Sequence, residues 1–198
     1  MNTIKHKIIL ASSSKYRRRL LDRLGIGYDT IKPHVDENLI KIQCLEQKYP
    51  LKLIAEKLAS AKAESVFLQH PDHIIIGSDQ LLAFGNKILN KPESFENAFA
   101  QLKQIQGQTH ELITAVTVMG ADHFLHSWAI HARMQMLELT DKEITDYLNI
   151  DQPYDCVGSY KLEAHGIRLF KTIDCADWTA IEGLPLLSLA QVLKKIPF

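Results

Sequence analysis

The stretch His73-Ile-Ile-Ile-Gly-Ser-Asp-Gln80 decides how the chain is read. Three consecutive isoleucines between Pro71 and Gly77 show no polar/apolar alternation, the pattern of a central strand covered on both faces, as in α/β proteins. Ser78-Asp79-Gln80 is expected at the C-terminal end of that strand, where α/β sheets usually place ligands. A carboxylate set directly after buried isoleucines and a glycine is costly to desolvate unless its site uses it. Asp79 is therefore the first candidate for chemistry, the plainer alternative being a helix or loop cap.

Upstream, Lys7-Ile-Ile-Leu-Ala11 reads as a short buried strand, followed by three serines and then Arg17 to Leu24, where Leu20, Leu21 and Leu24 share a helical face that Gly25 ends. Strand, polar loop and helix N-terminus converge on one place, a geometry suited to an anion. The loop does not match GxxxxGK[ST] and is not a P-loop. Leu51 to Leu68, opened by Pro50 and carrying apolar residues at 51, 54, 55, 58 and 61, predicts a helix of four to five turns.

Downstream, Phe84-Gly-Asn-Lys87 predicts a hairpin turn, and Lys91-Pro92 then holds a cation on a stiff backbone. Ser94 caps a helix with Phe95, Ala98, Phe99, Leu102 and Ile105 on one side, ended by Gly107. Glu111–Met119 and His126–Met136 read as strands, the second with Trp128, Ile130, Ala132, Met134 and Met136 alternating against Ser127, Ala129, His131, Arg133 and Gln135. Thr140-Asp-Lys-Glu143 is a capping box opening a helix with Ile144, Tyr147 and Leu148 inward. Ile167–Phe170 is a further predicted strand, and Gly183-Leu-Pro185 opens a last helix. With no internal repeat and no long linker, residues 1–198 are expected to form one domain.

Composition bounds the function. The 23 Lys and Arg balance the 23 Asp and Glu, so no global field attracts nucleic acid or anionic lipid, and phosphate binding must be local. Cys44, Cys156 and Cys175 are too scattered for a disulfide framework or a metal knuckle, which fits a reducing compartment. No signal or membrane segment is evident, and a cytoplasmic location is expected.

Among the remaining polar residues, Asp36 and Glu37 supply carboxylates that with Asp79 could hold Mg²⁺ against phosphates. The nine histidines form no HExxH, and His73, His123, His126 and His131 are expected at strand edges rather than as ligands. Ser159 in Cys156-Val-Gly-Ser-Tyr160 has no clear base, and no GxSxG elbow occurs.

Taken in order, Ile9-Leu-Ala-Ser-Ser-Ser14 with Arg17-Arg18, Leu58-Ala59 with Lys62-Ala63, Gly77-Ser-Asp-Gln80, Lys91-Pro92, Gly107 with His110, and Gly183-Leu-Pro185 resemble the Maf family of nucleoside triphosphate pyrophosphatases over nearly the whole chain. The resemblance implies an elongated α/β fold of the Maf/ITPase type, a mixed sheet flanked by helices with two lobes around a central cleft, usually dimeric. It implies hydrolysis of a nucleoside triphosphate to monophosphate and pyrophosphate, with Asp79 accepting the proton of the attacking water. Ser12, Ser14, Arg17, Lys62 and Lys91 are then the substrate-binding residues, and Glu37 with Asp79 the ligands of a divalent cation, Mg²⁺. No covalent intermediate is expected.

Within that family the chain looks most like the branch acting on 7-methyl-GTP. Tyr16 stands where that branch has Trp, Gln80 replaces the Thr of the dTTP and UTP branch, and Glu163 in Gly158-Ser-Tyr-Lys-Leu-Glu163 is shared. A cationic methylated guanine suits an aromatic face and a carboxylate. Lys15 in place of proline, Tyr16 in place of tryptophan and Ala115 in place of glycine depart from the pattern. The alternatives are a dTTP/UTP pyrophosphatase and a catalytically weak nucleotide-binding protein of the same fold.

Overall fold

A computed structural model describes residues 7–85, 87–120 and 124–196. His123, and Asn86 of the predicted hairpin turn, lie outside the described residues. The elements run β1 (Ile8–Ala11), α1 (Lys15–Asp22), β2 (Tyr28–Ile31), α2 (Glu37–Glu46), α3 (Leu51–Phe67), β3 (Ile74–Phe84), β4 (Lys87–Leu89), α4 (Phe95–Ile105), β5 (Thr109–Met119), β6 (Leu125–Met136), α5 (Asp141–Asp151), β7 (Phe170–Cys175) and α6 (Leu186–Leu193). One sheet has the order β2-β1-β3-β5-β6-β7, with β4 paired to β3. It is mixed: β1 is parallel to both β2 and β3, whereas β3–β4 and β6–β7 are antiparallel. This is the mixed α/β architecture expected.

The described chain forms two compact units. The first takes in residues up to Asp79, Thr114–Ile130 and residues from Asp177 on; the second takes in Gln80–Ile113 and His131–Ala176. In the first unit, period-two alternation divides the strands between two layers. Ile8, Leu10, Ile74 and Ile76 point to one face, where Leu20 and Leu21 of α1 and the apolar side of α6 cover them. Ile9, Ala11 and Ile75 point to the other, against Ala63 and Val66 of α3. Burial of a leucine such as Leu20 or Leu21 stabilises the fold by about 1.5–3 kcal/mol. Both faces of β3 are thus covered, as its uninterrupted apolar run demands.

The second unit is built on α4 and α5. Ser94 caps α4 by accepting from Asn97 N–H at 3.2 Å, and Ala98, Leu102 and Ile105 turn inward. Thr140 and Glu143 close the expected capping box on α5, which buries Ile144, Tyr147 and Leu148. The β3–β4 hairpin forms with Phe84 opposite Lys87.

Two expectations are corrected. The strand does not end at Gly77: β3 continues to Phe84, so Ser78-Asp79-Gln80 lie inside it. Polar side chains interrupt the apolar pattern but not the backbone, because Ser78 and Asp79 find buried hydrogen-bond partners. Nor is Ile167–Phe170 a strand; Gly166–Leu169 is a 3-10 turn that leaves Ile167 exposed, and β7 begins only at Phe170. The short β2 and the helix α2 were not anticipated. No helix among the described residues is long and apolar enough to cross a membrane.

Candidate active site

Register brings the site together. Ala11, the last residue of β1, pairs with Gly77, so the Ser12–Ser14 loop leaves the sheet beside Ser78 and Asp79. Ser12 is buried and its Oγ accepts from Ser14 N–H at 3.1 Å; Ser14 caps α1, accepting from Arg17 N–H at 3.4 Å. Both oxygens act as acceptors in these bonds, which leaves the O–H hydrogens unspent by them.

Across the other face of β3, α3 comes unusually close. A Cβ built on Gly77 would stand 2.3 Å from the Ala59 carbonyl oxygen and 2.7 Å from Ala63 N, so only glycine there, facing alanines, admits the helix. One turn along from Leu58 and Ala59, Lys62 lies in the same buried stripe. Its ammonium donates to Asp79 Oδ1 at 2.6 Å and pairs with Glu37 Oε1 at 2.9 Å. Glu37 opens α2 and is 42% exposed, whereas the Lys62 and Asp79 side chains are 8% and 7% exposed. Asp36 caps α2, its Oδ1 accepting from Leu39 N–H at 2.9 Å.

Arg17 completes the cluster. Its Nε donates to the Gly183 carbonyl at 2.9 Å. Desolvation holds its pKa below the ordinary value, against the opposing pull of Asp79 and Glu37. An arginine remains charged under these conditions. Burial alone would raise the Glu37 pKa, but Lys62, by charge and hydrogen bond, together with Lys41 and Arg17, holds it below the usual carboxylate value.

Two carboxylates therefore face two cations, and one atom is left over. Asp79 Oδ2 is buried and has no hydrogen-bond partner among the described residues. A purely structural ion pair would engage both oxygens, since buried polar atoms are nearly always satisfied. Asp79 Oδ2 is the atom of the cluster that remains open to a further hydrogen-bond donor or cation.

With an ordered cluster of this chemistry in view, the comparison with known proteins is decisive. The family model described as Maf-like protein matches residues 7–196. The chain belongs to the Maf family. A relative from Bdellovibrio bacteriovorus, named 7-methyl-GTP pyrophosphatase, is 44% identical over 188 residues, covering 95% of this chain and 96% of its own. Another from Acinetobacter baylyi, named nucleoside triphosphate pyrophosphatase, is 38% identical over 193 residues, 96% of this chain and 94% of its own. Among solved structures, the Staphylococcus aureus Ham1 protein aligns with a TM-score of 0.43 and 14% identity, over 67% of this chain and 72% of that one.

In this Maf chain the structure gathers Ser12, Ser14, Arg17, Glu37, Lys62 and Asp79 in the first unit. Tyr16 lies on α1 of the same unit, half-buried, with Lys15 Nζ 4.9 Å from its ring centroid. Gln80, Lys91 and Glu163 belong to the second unit: Gln80 half-buried in β3, Lys91 exposed beside buried Pro92, and Glu163 exposed in the turn before Gly166. Sequence reading missed the Gly183 carbonyl, which accepts from Arg17 Nε and also from Ser78 Oγ at 3.0 Å. Partners 166 and 105 residues away leave no local pattern; the only signal was Gly183 itself, whose φ of +113° favours glycine.

Proposed function

We propose that this chain hydrolyses nucleoside triphosphates at the α–β phosphoanhydride bond, releasing nucleoside monophosphate and pyrophosphate. The orphaned, buried Asp79 Oδ2 supports this most directly: a carboxylate oriented by Lys62 through one oxygen presents the other as a proton acceptor. The names of the relatives at 44% and 38% identity point the same way. Water attacks the α-phosphorus, its proton passes to Asp79, and the bond to the bridging oxygen breaks with pyrophosphate leaving. Arg17 and Lys62 offset charge on the phosphates, with Ser12 and Ser14 donating from the loop. Lys91 joins them in this reading on the strength of the family motif.

The residues suit a divalent cation. No group of three or more His, Cys, Asp or Glu is placed to hold a metal ion among the described residues. Two hard carboxylates, Glu37 and Asp79, would nevertheless suit Mg²⁺, which binds through one or two protein carboxylates plus substrate phosphate and water; Asp79 would reach the cation through water, so that its Oδ2 stays open to a proton. The cation would supply charge neutralisation on the triphosphate.

The substrate we assign is 7-methyl-GTP, through Tyr16, Gln80 and Glu163, and the working assembly is a homodimer. Phosphorus NMR of the products tests the reaction: pyrophosphate and monophosphate are expected, and accumulation of nucleoside diphosphate with orthophosphate contradicts it. Light scattering reads the assembly.

A further inference from the structure

Ser78 lies between the two residues that define the α3 face of β3, yet it points the other way. Gly77 faces Ala59 and Ala63, Asp79 faces Lys62, and the intervening side chain must turn to the opposite face. There it is wholly buried, and its Oγ–H donates to the Gly183 carbonyl at 3.0 Å. The same oxygen takes Arg17 Nε–H at 2.9 Å, so both lone pairs of one carbonyl are used.

The turn that carries this carbonyl is itself braced. Asp177, buried, accepts from Thr179 Oγ at 2.8 Å and from Ser188 N–H at 3.0 Å. Thr179 Oγ in turn accepts from Leu186 N–H at 2.7 Å, and Gly183 N–H donates to Ala180 O at 3.0 Å. With Nε committed, the guanidinium has its two terminal amino groups left for recognition, the fork that grips phosphate in two parallel bonds. Which way that fork points depends on where the Gly183 oxygen sits.

We propose that Ser78 is a positioning residue for phosphate recognition: by fixing the Gly183 carbonyl between the strand that carries Asp79 and the helix that carries Arg17, it sets the Arg17 guanidinium for the polyphosphate chain. The inference rests on the pyrophosphatase reading only for the identity of the anion. A merely structural Ser78 would fill the core and act independently of Arg17.

The test is a double-mutant cycle on binding of inorganic tripolyphosphate, followed by titration calorimetry with Mg²⁺, using wild type, Ser78→Ala, Arg17→Ala and the double variant. Ser78→Ala is expected to weaken binding about 5- to 10-fold in the wild-type background and less than about 2-fold once Arg17 is gone, since residues acting through one network are not additive. Equal weakening in both backgrounds, an affinity within about 2-fold of wild type, or no binding by wild type overturns the proposal. Gly183→Ala addresses the same carbonyl should Ser78→Ala not fold. A Cβ there meets only Arg17 atoms at 3.6 and 3.8 Å, so backbone strain at φ +113° is what displaces the oxygen, and the same dependence on Arg17 is expected. Pyrophosphate release by the wild type is assayed separately. Its absence would remove the hydrolase reading and leave the binding cycle to decide the role of Ser78.

Discussion

The Lys62 ammonium lies 2.6 Å from Asp79 Oδ1, and both side chains are less than a tenth exposed. Burying a carboxylate at that depth without a partner is costly, and the lysine offsets that cost inside the sheet.

Lys62→Met should therefore lower stability by about 3 kcal/mol, because removing one partner of a buried pair strands the other. In a chain of this size that is a fall in Tm of about 6–12 °C, read by calorimetry at pH 7. The acid limb should change as well. Glu37 has a depressed folded pKa, so its stabilisation is present above the ordinary value of 4.5 and is lost as pH falls through the lower, folded value. Without Lys62 the loss of stability below about pH 4.5 should be shallower than in wild type, and an unchanged limb would contradict the coupling.

Gly77→Ala tests the close approach that delivers Lys62. The added methyl would meet the Ala59 carbonyl at 2.3 Å, a backbone atom that cannot rotate away. A cost of about 2–4 kcal/mol is expected from overpacking, together with loss of activity as α3 is pushed off β3. A variant as stable and active as wild type would mean that the helix has slack at this point.

Much of this was legible in the chain. The isoleucine run and the caps at Ser94 and Thr140 follow from local rules, and the structure has each of them; the alternation of β6 holds from His131 to Met136, whereas Trp128, Ala129 and Ile130 are all half-buried. The apolar spacing of α3 points to 51, 54, 55, 58 and 61; the buried line is 54, 55, 58, 59, 62, 63 and 66, and a lysine on it escapes a hydrophobicity pattern. The helix α2 was missed because Leu39, Ile42 and Leu45 are exposed and only Cys44 is buried, so its apolar spacing reports no core. Asp177 and the Gly183 carbonyl act through contacts between distant segments, which no window of sequence contains.

His110 gives a pH signature in the second unit. Burial pushes its pKa down to about 4; its Nε2 meets Tyr160 Oη at 2.9 Å and its Nδ1 has no partner among the described residues. The unfolded chain takes up a proton near pH 6.5 while the folded one does not until about pH 4, so stability should fall as pH drops through that window. At pH 5 the loss relative to pH 7 amounts to about 2 kcal/mol. Urea melts of wild type and His110→Phe at both pH values check this. The variant should lose less than wild type on acidification, and equal losses would assign the titration elsewhere.

Substrate choice is probed at Tyr16. Lys15 already holds a charge 4.9 Å from the ring centroid, and on the proposed substrate assignment it would compete with a cationic base for that ring. Lys15→Ala should raise the preference for 7-methyl-GTP over GTP by about 2- to 5-fold in kcat/KM, on the scale of an exposed cation–π contact. Glu163→Ala should reduce discrimination against dTTP and UTP. A wild type that prefers dTTP or UTP would place the chain in the other branch and leave the chemistry at Asp79 as it stands.

The most direct measurement is pyrophosphate release from a nucleoside triphosphate with Mg²⁺ present, compared between wild type and Asp79→Asn. The amide keeps the size and shape of the side chain and cannot accept the proton, so kcat should fall about 10²- to 10⁴-fold while substrate affinity stays within a few fold. If Asp79→Asn retains more than about a tenth of the wild-type kcat where chemistry limits turnover, Asp79 is not the base.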